Sequence, residues 1–323
     1  MTTAYVFGAG ASAHAGYPLT SDLWPNLVLW ADSQPEYRQT VETIVSLGGP
    51  VTDMEATLTD MALGFRGFAS HNDDERDLLS GRVRKAITAY FRDIRTRNPD
   101  AALYNALVKH VTEGDSFVTF NYDVALERAL ISQRKFRVQA GYGLPVNWPT
   151  DKSPHVVLKL HGSTNWAAFM PQGYRRIEPG SVLQLVVDNR DEALPDYPAE
   201  LLDQNLADGP IIDAVSLILP TREKRFGVKT TTGDEFVTVY DSLWLQAADS
   251  LAKCDRIVII GYSMPKADRR ARALLLWHSN RRAEVIVCCG SSSASLGEEF
   301  ERHGFLRVSA RGRFDDYLRR LAP

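Results

Sequence analysis

The sequence predicts an α/β protein centred on an open parallel sheet with helices on both faces. Three observations predict it. A short apolar run opens the chain and ends in a glycine turn, Tyr5-Val-Phe-Gly-Ala-Gly-Ala-Ser12. Three further apolar runs recur far along the chain: Phe117-Val-Thr-Phe-Asn-Tyr-Asp123, Val156-Val-Leu-Lys-Leu-His-Gly162 and Arg256-Ile-Val-Ile-Ile-Gly-Tyr-Ser-Met-Pro265. Each ends in glycine or polar residues, and helical periodicity fills much of the sequence between them. Short, continuously apolar runs bounded by turn residues read as strands buried on both faces, which is the pattern of parallel sheets.

The first element reads as strand, tight turn and helix start. Glycines at positions 8 and 10 let the backbone turn and approach a ligand where a Cβ would collide. Amide N–H groups and the positive end of a helix dipole at such a turn suit an anion. Ala13 breaks the full GxGxxG pattern, so by itself the turn fits either a phosphate cradle or a plain connection. The second run delivers Asn121 and Asp123 at its carboxyl end, the third His161 and Gly162, the fourth Gly261 and Ser263. Read singly, these are an Asx turn, a strand-end histidine and a tight turn. In an open parallel sheet, however, ligands bind just beyond the carboxyl ends of the strands. The four together therefore converge on one crevice of a Rossmann-like sheet.

Two insertions interrupt that core, which is expected over residues 1–20, 112–166 and 214–323. Residues 21–111 read as mainly helical, with Leu78, Val83, Ile87 and Phe91 at helical spacing, and Leu103, Leu107, Val108 and Val111 likewise. His71-Asn-Asp-Asp-Glu75 reads as a polar break between helices. Residues 167–213, with scattered prolines, read as irregular apart from a short strand at Ser181-Val-Leu-Gln-Leu-Val-Val187. Asp241 to Lys253 is expected as an amphipathic helix, Glu284-Val-Ile-Val-Cys-Cys289 as a buried strand, and the segment from Phe314 to Leu321 as a packed helix. No internal repeat or low-complexity tract is present.

Composition excludes several classes. A chain of 323 residues with a formal charge of −3 exerts no general attraction on nucleic acid, and Arg175-Arg176 and the arginines from 269 to 272 read as surface charge. No apolar stretch reaches the roughly 18 to 20 residues needed to cross a bilayer. The amino terminus enters the glycine turn with no cationic leader, so no signal peptide is expected. Three cysteines, two of them adjacent, point to a reducing compartment, and the cytoplasm is the expected location.

The ordered set of motifs resembles the Sir2 (sirtuin-like) superfamily, and within it the zinc-less bacterial SIR2-like NAD hydrolases associated with anti-phage defence. Gly8-Ala-Gly-Ala-Ser12 resembles the sirtuin GAGxS, and Gly16-Tyr-Pro18 the G-I-P that follows. Thr119-Phe-Asn-Tyr-Asp123 resembles T-Q-N-x-D, His161-Gly162 the catalytic HG, and Gly261-Tyr-Ser263 the G-[TS]-S of the ribose site. The resemblance runs in family order from about residue 5 to about residue 293. The departures matter equally. Deacylases of the family carry four zinc-binding cysteines after HG, whereas Cys254, Cys288 and Cys289 are the only cysteines here and cannot build a tetrahedral thiolate site. Leu19, Thr20 and Ser21 replace the Asp, Phe and Arg of deacylases, and Phe120 replaces Gln. No metal is expected, and the 167–213 insertion takes the place of the zinc module.

The resemblance implies NAD as substrate, cleaved to ADP-ribose and nicotinamide. The departing nicotinamide is already cationic in NAD, so cleavage passes through an oxocarbenium-like state without a strong general acid. Asn121 offers a donor and an acceptor to ribose hydroxyls or to water, and His161, with an ordinary pKa near 6.5, suits a base near neutral pH. By resemblance, Gly8, Ala9, Gly10 and Ser12 hold the diphosphate and Asp123 fixes the nicotinamide carboxamide. Gly261 and Ser263 face the adenosine ribose, and Gly290 and Ser291 lie beside that ribose or its phosphate. Asp268 is open between a role at the ribose and a helix cap. The resemblance further implies a latent NAD-depleting effector, triggered by a partner such as a HerA-like ATPase or another operon-encoded chain, or by homo-oligomerisation. The competing classes are an NAD- or ADP-ribose-binding regulatory module without turnover, and a transferase, either ADP-ribosyltransferase or deacylase.

Overall fold

The computed structural model describes residues 1–48, 54–98, 101–144, 152–169, 184–187, 217–221 and 239–321. Its centre is a six-stranded, wholly parallel sheet. The strands are β1 (Thr3–Phe7), β2 (Ser116–Thr119), β3 (Val157–Lys159), β6 (Arg256–Ile260), β7 (Glu284–Cys288) and β8 (Arg307–Ala310), in the spatial order β3-β2-β1-β6-β7-β8. This is a doubly wound order. The chain starts at the centre, moves outward through β2 and β3, then returns to the other side of β1 and moves outward again. Register is fixed along the middle: Val6 lies opposite Val118 on one side and Ile259 on the other, and Ile259 lies opposite Val287. All five residues of β1 are buried, as both neighbours and both faces require, whereas the edge strand β8 is half exposed. β8, a strand the sequence did not announce, follows the 290 turn and pairs with Glu284–Cys288. A separate antiparallel pair joins β4 (Trp166–Phe169) to β5 (Gln184–Val187), with Trp166 opposite Val187.

Twelve α-helical segments flank the sheets among the described residues. A four-residue turn, α1 (Ala9–Ser12), follows β1 and tightens into a 3₁₀ turn over Ala13–Ala15, closed by Gly16 at φ +85°. The helix start expected after the glycine turn is present and short, because the left-handed Gly16 and Pro18 end it within two turns. The helical insertion holds α2 (Thr20–Ala31), α3 (Pro35–Gly48), α4 (Met54–Leu63), α5 (Asp73–Arg97) and α6 (Ala102–Leu107). The polar break at 71–75 is the start of α5. Asn72 accepts from the Glu75 N–H, and the Glu75 carboxylate accepts from the Asn72 N–H, the reciprocal capping box that satisfies two orphan donors. Val83, Ile87 and Phe91 of α5 are buried, but Leu78 is exposed and Leu79 takes the inward position.

After β2 come α7 (Ala125–Ser132) and α8 (Val138–Gly141), then, past the second insertion, α9 (Val239–Lys253) packs on β3. α10 (Arg269–Trp277) links β6 to β7, α11 (Ser293–Arg302) links β7 to β8, and α12 (Phe314–Leu321) closes the described chain. Phe314 of α12 packs its ring on Phe7 and Tyr104, so one sheet face is covered by aromatic contacts from the end of the chain. Most of the 167–213 insertion, with Arg175 and Arg176, lies outside the described residues. No described helix is long and apolar enough to cross a membrane.

Candidate active site

The turn after β1 and the turn after β6 meet backbone to backbone where the sheet order reverses. Gly8 N–H donates to Ile260 O at 3.0 Å, and Gly10 N–H to Gly261 O at 2.9 Å. Gly261 sits at φ +63°, and a Cβ there would lie 2.1 Å from Ala11 N and 2.3 Å from Gly10 C. A Cβ on Gly8 would lie 2.6 Å from Tyr262 Cα. Glycine is therefore required at both positions by contact with main chain, which cannot step aside as a flexible side chain can. The same contacts engage the Gly8 and Gly10 amides inside the protein.

Asn121 reaches across from the end of β2 into this junction. Its Nδ2 donates to Gly8 O at 3.0 Å and to Ser12 Oγ at 3.1 Å. Ser12 Oγ also bonds the Tyr104 hydroxyl at 3.0 Å. Both amide hydrogens of Asn121 are thus committed, and its Oδ1 is the atom directed to acceptor chemistry. All three residues are buried, and burial holds the Tyr104 phenol well above its ordinary pKa, so it stays protonated.

His161 stands at the end of β3 within an aromatic setting. Its ring lies 5.1 Å from Phe120, which stacks on Tyr262 at 4.2 Å and 16°. Trp244 of α9 lies 6.4 Å from the imidazole and carries the Arg270 guanidinium 4.6 Å from its own ring centre. His161 Nε2 is 3.3 Å from Asp268 Oδ2, and the Tyr262 hydroxyl donates to the same oxygen at 3.2 Å. The Asp268 Oδ1 accepts from Ala271 N–H at 3.2 Å and caps α10. Burial, reinforced by the Asp268 charge, pushes the Tyr262 phenol well up, so it too remains protonated.

Asp123 is buried, its Oδ1 accepting from Ala125 N–H at 3.0 Å and its carbonyl accepting from the Lys159 ammonium. Lys159 and Glu127 form a wholly buried ion pair at 2.8 Å behind the loop that carries Asn121 and Asp123. Tyr142, Asn165 and Ser163 extend the network. Tyr142 hydroxyl donates to Glu127 at 3.4 Å, Asn165 Nδ2 to Tyr142 at 3.1 Å, and Ser163 Oγ to Asn165 Oδ1 at 2.6 Å. The segment after the Asn121 turn and the segment after His161-Gly162 are therefore stitched together beneath the site. Above it, Ile218 N–H donates to His161 O at 2.9 Å, and Arg84 of α5 donates to Leu217 O at 2.9 Å.

Ser263 and Ser291 are exposed at the ends of β6 and β7, and Gly290 is half-buried with its N–H donated to Gly312 O at 2.7 Å. Every residue singled out in the sequence thus follows a strand carboxyl end. Gly8 to Ser12, Asn121 and Gly261 touch one another, and His161 joins them through Phe120 and Tyr262. Cavities of about 230 Å³ between α2 and α3 and about 450 Å³ beside Trp30 and Tyr90 lie elsewhere, lined by none of these strand-end residues. No group of three or more potential metal-ligating side chains occurs among the described residues. The sequence reading missed Tyr104, Lys159 and Glu127. A lysine in the middle of an apolar strand run was the available signal, since such a charge must find a buried partner.

No protein-family model matches the chain, and no curated protein sequence does. Among solved structures, similarity of chain path is found to Sir2 proteins. A Sir2 homologue in complex with NAD is 17% identical, over 99% of this chain and 87% of that one, at a TM-score of 0.41. A mutant Sir2 homologue bound to 2′-O-acetyl-ADP-ribose is 18% identical, over 99% and 90%, at 0.41. A structure described for the mechanism and regulation of Sir2 enzymes is 15% identical, over 89% and 80%, at 0.36. The fold class itself is read from the parallel sheet and its strand order.

Proposed function

We propose that this protein is an NAD glycohydrolase. The observation that carries the reading is the placement of Asn121 and His161 at the carboxyl ends of adjacent strands, beside the glycine turn where the sheet order reverses. In the reaction, the bond from ribose C1′ to the nicotinamide nitrogen breaks and its electron pair leaves with nicotinamide. A water oxygen bonds to C1′, and the water's proton passes to a base. Asn121 Oδ1 accepts from a ribose hydroxyl or the attacking water, and His161 takes the proton. Ala9 and the mouth of the glycine turn receive the diphosphate, Asp123 the carboxamide, and Gly261, Ser263, Gly290 and Ser291 the adenosine side. The buried aromatic wall of Phe120, Tyr262 and Trp244 limits water at the reacting centre.

The sequence resemblance further supports an NAD-depleting effector in bacterial anti-phage defence, latent until a partner chain, such as a HerA-like ATPase, or self-assembly releases it. The whole chain from 1 to 323 would then act as one SIR2-like domain. The test is nicotinamide release from NAD by purified protein, with Asn121→Ala and His161→Ala beside it and NAD binding followed by calorimetry. Release by the wild type, alone or once the partner is added, and at least about a 100-fold loss in each variant with binding retained, is expected. Binding without release, with the partner present as well as absent, would refute the hydrolase reading in favour of a binding module. ADP-ribose attached to protein would identify a transferase.

A further inference from the structure

The loop between β6 and α10 has an unusual task. Within eight residues it must leave the sheet at Gly261, shield the aromatic wall with Tyr262, and turn back to seat Asp268. It does so through two left-handed residues, Gly261 and Met264, the latter at φ +50° and buried. A methionine is strained in that left-handed region, where its Cβ crowds the following carbonyl oxygen. Two bonds hold the bend: Arg272 donates to Met264 O at 3.2 Å, and Asp268 N–H to Pro265 O at 3.0 Å. Strain of this kind persists only where the surroundings over-determine it. What the bend delivers is one carboxylate with two separate duties. Oδ1 caps α10, and Oδ2 lies between the Tyr262 hydroxyl and His161 Nε2.

We propose that Asp268 is the positioning residue of His161, fixing the neutral imidazole as the Nε2–H tautomer and leaving Nδ1 as the proton-accepting atom. The reasoning is geometric. A carboxylate can only accept, so the nitrogen facing it must carry the proton, and the other nitrogen must then bear the lone pair. Tyr262, a donor to the same oxygen, fixes the carboxylate's orientation. The ring is thereby locked by a chain that begins at a helix cap: Ala271 N–H to Asp268, and Asp268 to His161. When His161 takes a proton, Asp268 also faces the resulting imidazolium and stabilises it. This rests on His161 serving as the base of the proposed hydrolysis, but the tautomer is a property of the protein alone and can be read without turnover.

The substitution that isolates the duty is Asp268→Asn. Asparagine is as good a helix cap as aspartate, so α10 keeps its cap. Its amide nitrogen, turned to His161, would donate and so place the imidazole proton on Nδ1. The experiment uses the full chain labelled with ¹⁵N-histidine. Two-bond ¹H–¹⁵N correlations at pH 8 report which nitrogen is protonated, and His161→Gln identifies the His161 signals among the seven histidines. The wild type is expected to show a protonated Nε2 and bare Nδ1, Asp268→Asn the reverse, and Tyr262→Phe the wild-type pattern. Circular dichroism and thermal melting of Asp268→Asn should match the wild type. Nicotinamide release by Asp268→Asn should fall about 10²- to 10⁴-fold in kcat with KM changed less than about threefold, as expected for a base offered in the wrong tautomer. A wild type protonated at Nδ1, an unchanged tautomer in Asp268→Asn, or an inverted tautomer with full activity would each overturn the proposal. A wild type that releases no nicotinamide with the partner present as well as absent would overturn the hydrolase reading instead, and the tautomer measurement would still decide the role of Asp268.

Discussion

Removing the Lys159 ammonium should be among the most damaging single changes available to this chain outside the site itself. Lys159 and Glu127 are both essentially inaccessible, and the 2.8 Å bond between them is the main compensation for a carboxylate taken out of water. Burial already pushes the Glu127 carboxyl up, with Lys159 pulling it back. In Lys159→Met that opposing influence is gone, so the group must either remain a buried lone charge or take up a proton. Breaking one partner of a buried pair costs about 3–5 kcal/mol. With about 2.1 cal/mol/K of unfolding entropy per residue, a 323-residue chain loses about 1.5 °C per kcal/mol. The variant should therefore melt about 4–7 °C lower at pH 7.5, followed by circular dichroism. The double variant Lys159→Met/Glu127→Gln, which leaves no uncompensated charge, should recover to within about 2 kcal/mol of the wild type. A single variant within about 1 °C of the wild type, or a double variant no better than the single, would refute the claim that the pair compensates a buried charge.

Three further outcomes are expected. Gly261→Ala must push backbone against backbone at φ +63° and should cost about 3–5 kcal/mol in denaturant titration and abolish NAD binding, whereas Gly290→Ala, at φ +62° with open space around it, should cost only about 1 kcal/mol. The folded carboxyl of Glu127 lies above its ordinary value of 4.5, so the folded state binds that proton more tightly than the unfolded chain. Its stabilising share is therefore present below pH 4.5 and lost as pH rises through the raised value, and Glu127→Gln should flatten the fall of stability with pH in that window. Burial pushes Cys254 and Cys289 to about 11 and Cys288 to about 12, which leaves at most about one thiol in a thousand ionised at pH 8. Ellman's reagent should titrate no cysteine of the folded protein within an hour and all three in guanidinium.

Much of the sheet was legible because five of its six strands are apolar runs that end abruptly in glycine or a polar group, and those endings also marked Asn121, His161 and Gly261. β8 was not, because Arg-Val-Ser-Ala at a sheet edge is half exposed and lacks an apolar signature. The shortness of α1 was hidden by alanines, which favour a helix, while the left-handed Gly16 that stops it belongs to the tertiary fold. Asp268 could be read as a cap from local sequence, but its second oxygen meets a histidine 107 positions earlier, and no periodicity reports a pairing at that distance. The Lys159–Glu127 pair escaped for the same reason. Only its lysine, isolated among apolar neighbours, left a trace.

The adjacency of β1 and β6 has a consequence for how the molecule comes into being. Thr3 to Phe7 are made well before Arg256 to Ile260, yet these two segments pair as neighbouring strands. More than 240 residues separate the two segments and must be made before that ladder can form, so the central strand waits in the interval with one edge unpaired. The crevice is therefore assembled only after β6 has been made, rather than grown outward from the glycine turn. A chain halted before β6 would carry the glycine turn, Asn121 and His161 with no opposing strand to complete the junction, and its apolar edge would be open to the nearest available partner strand.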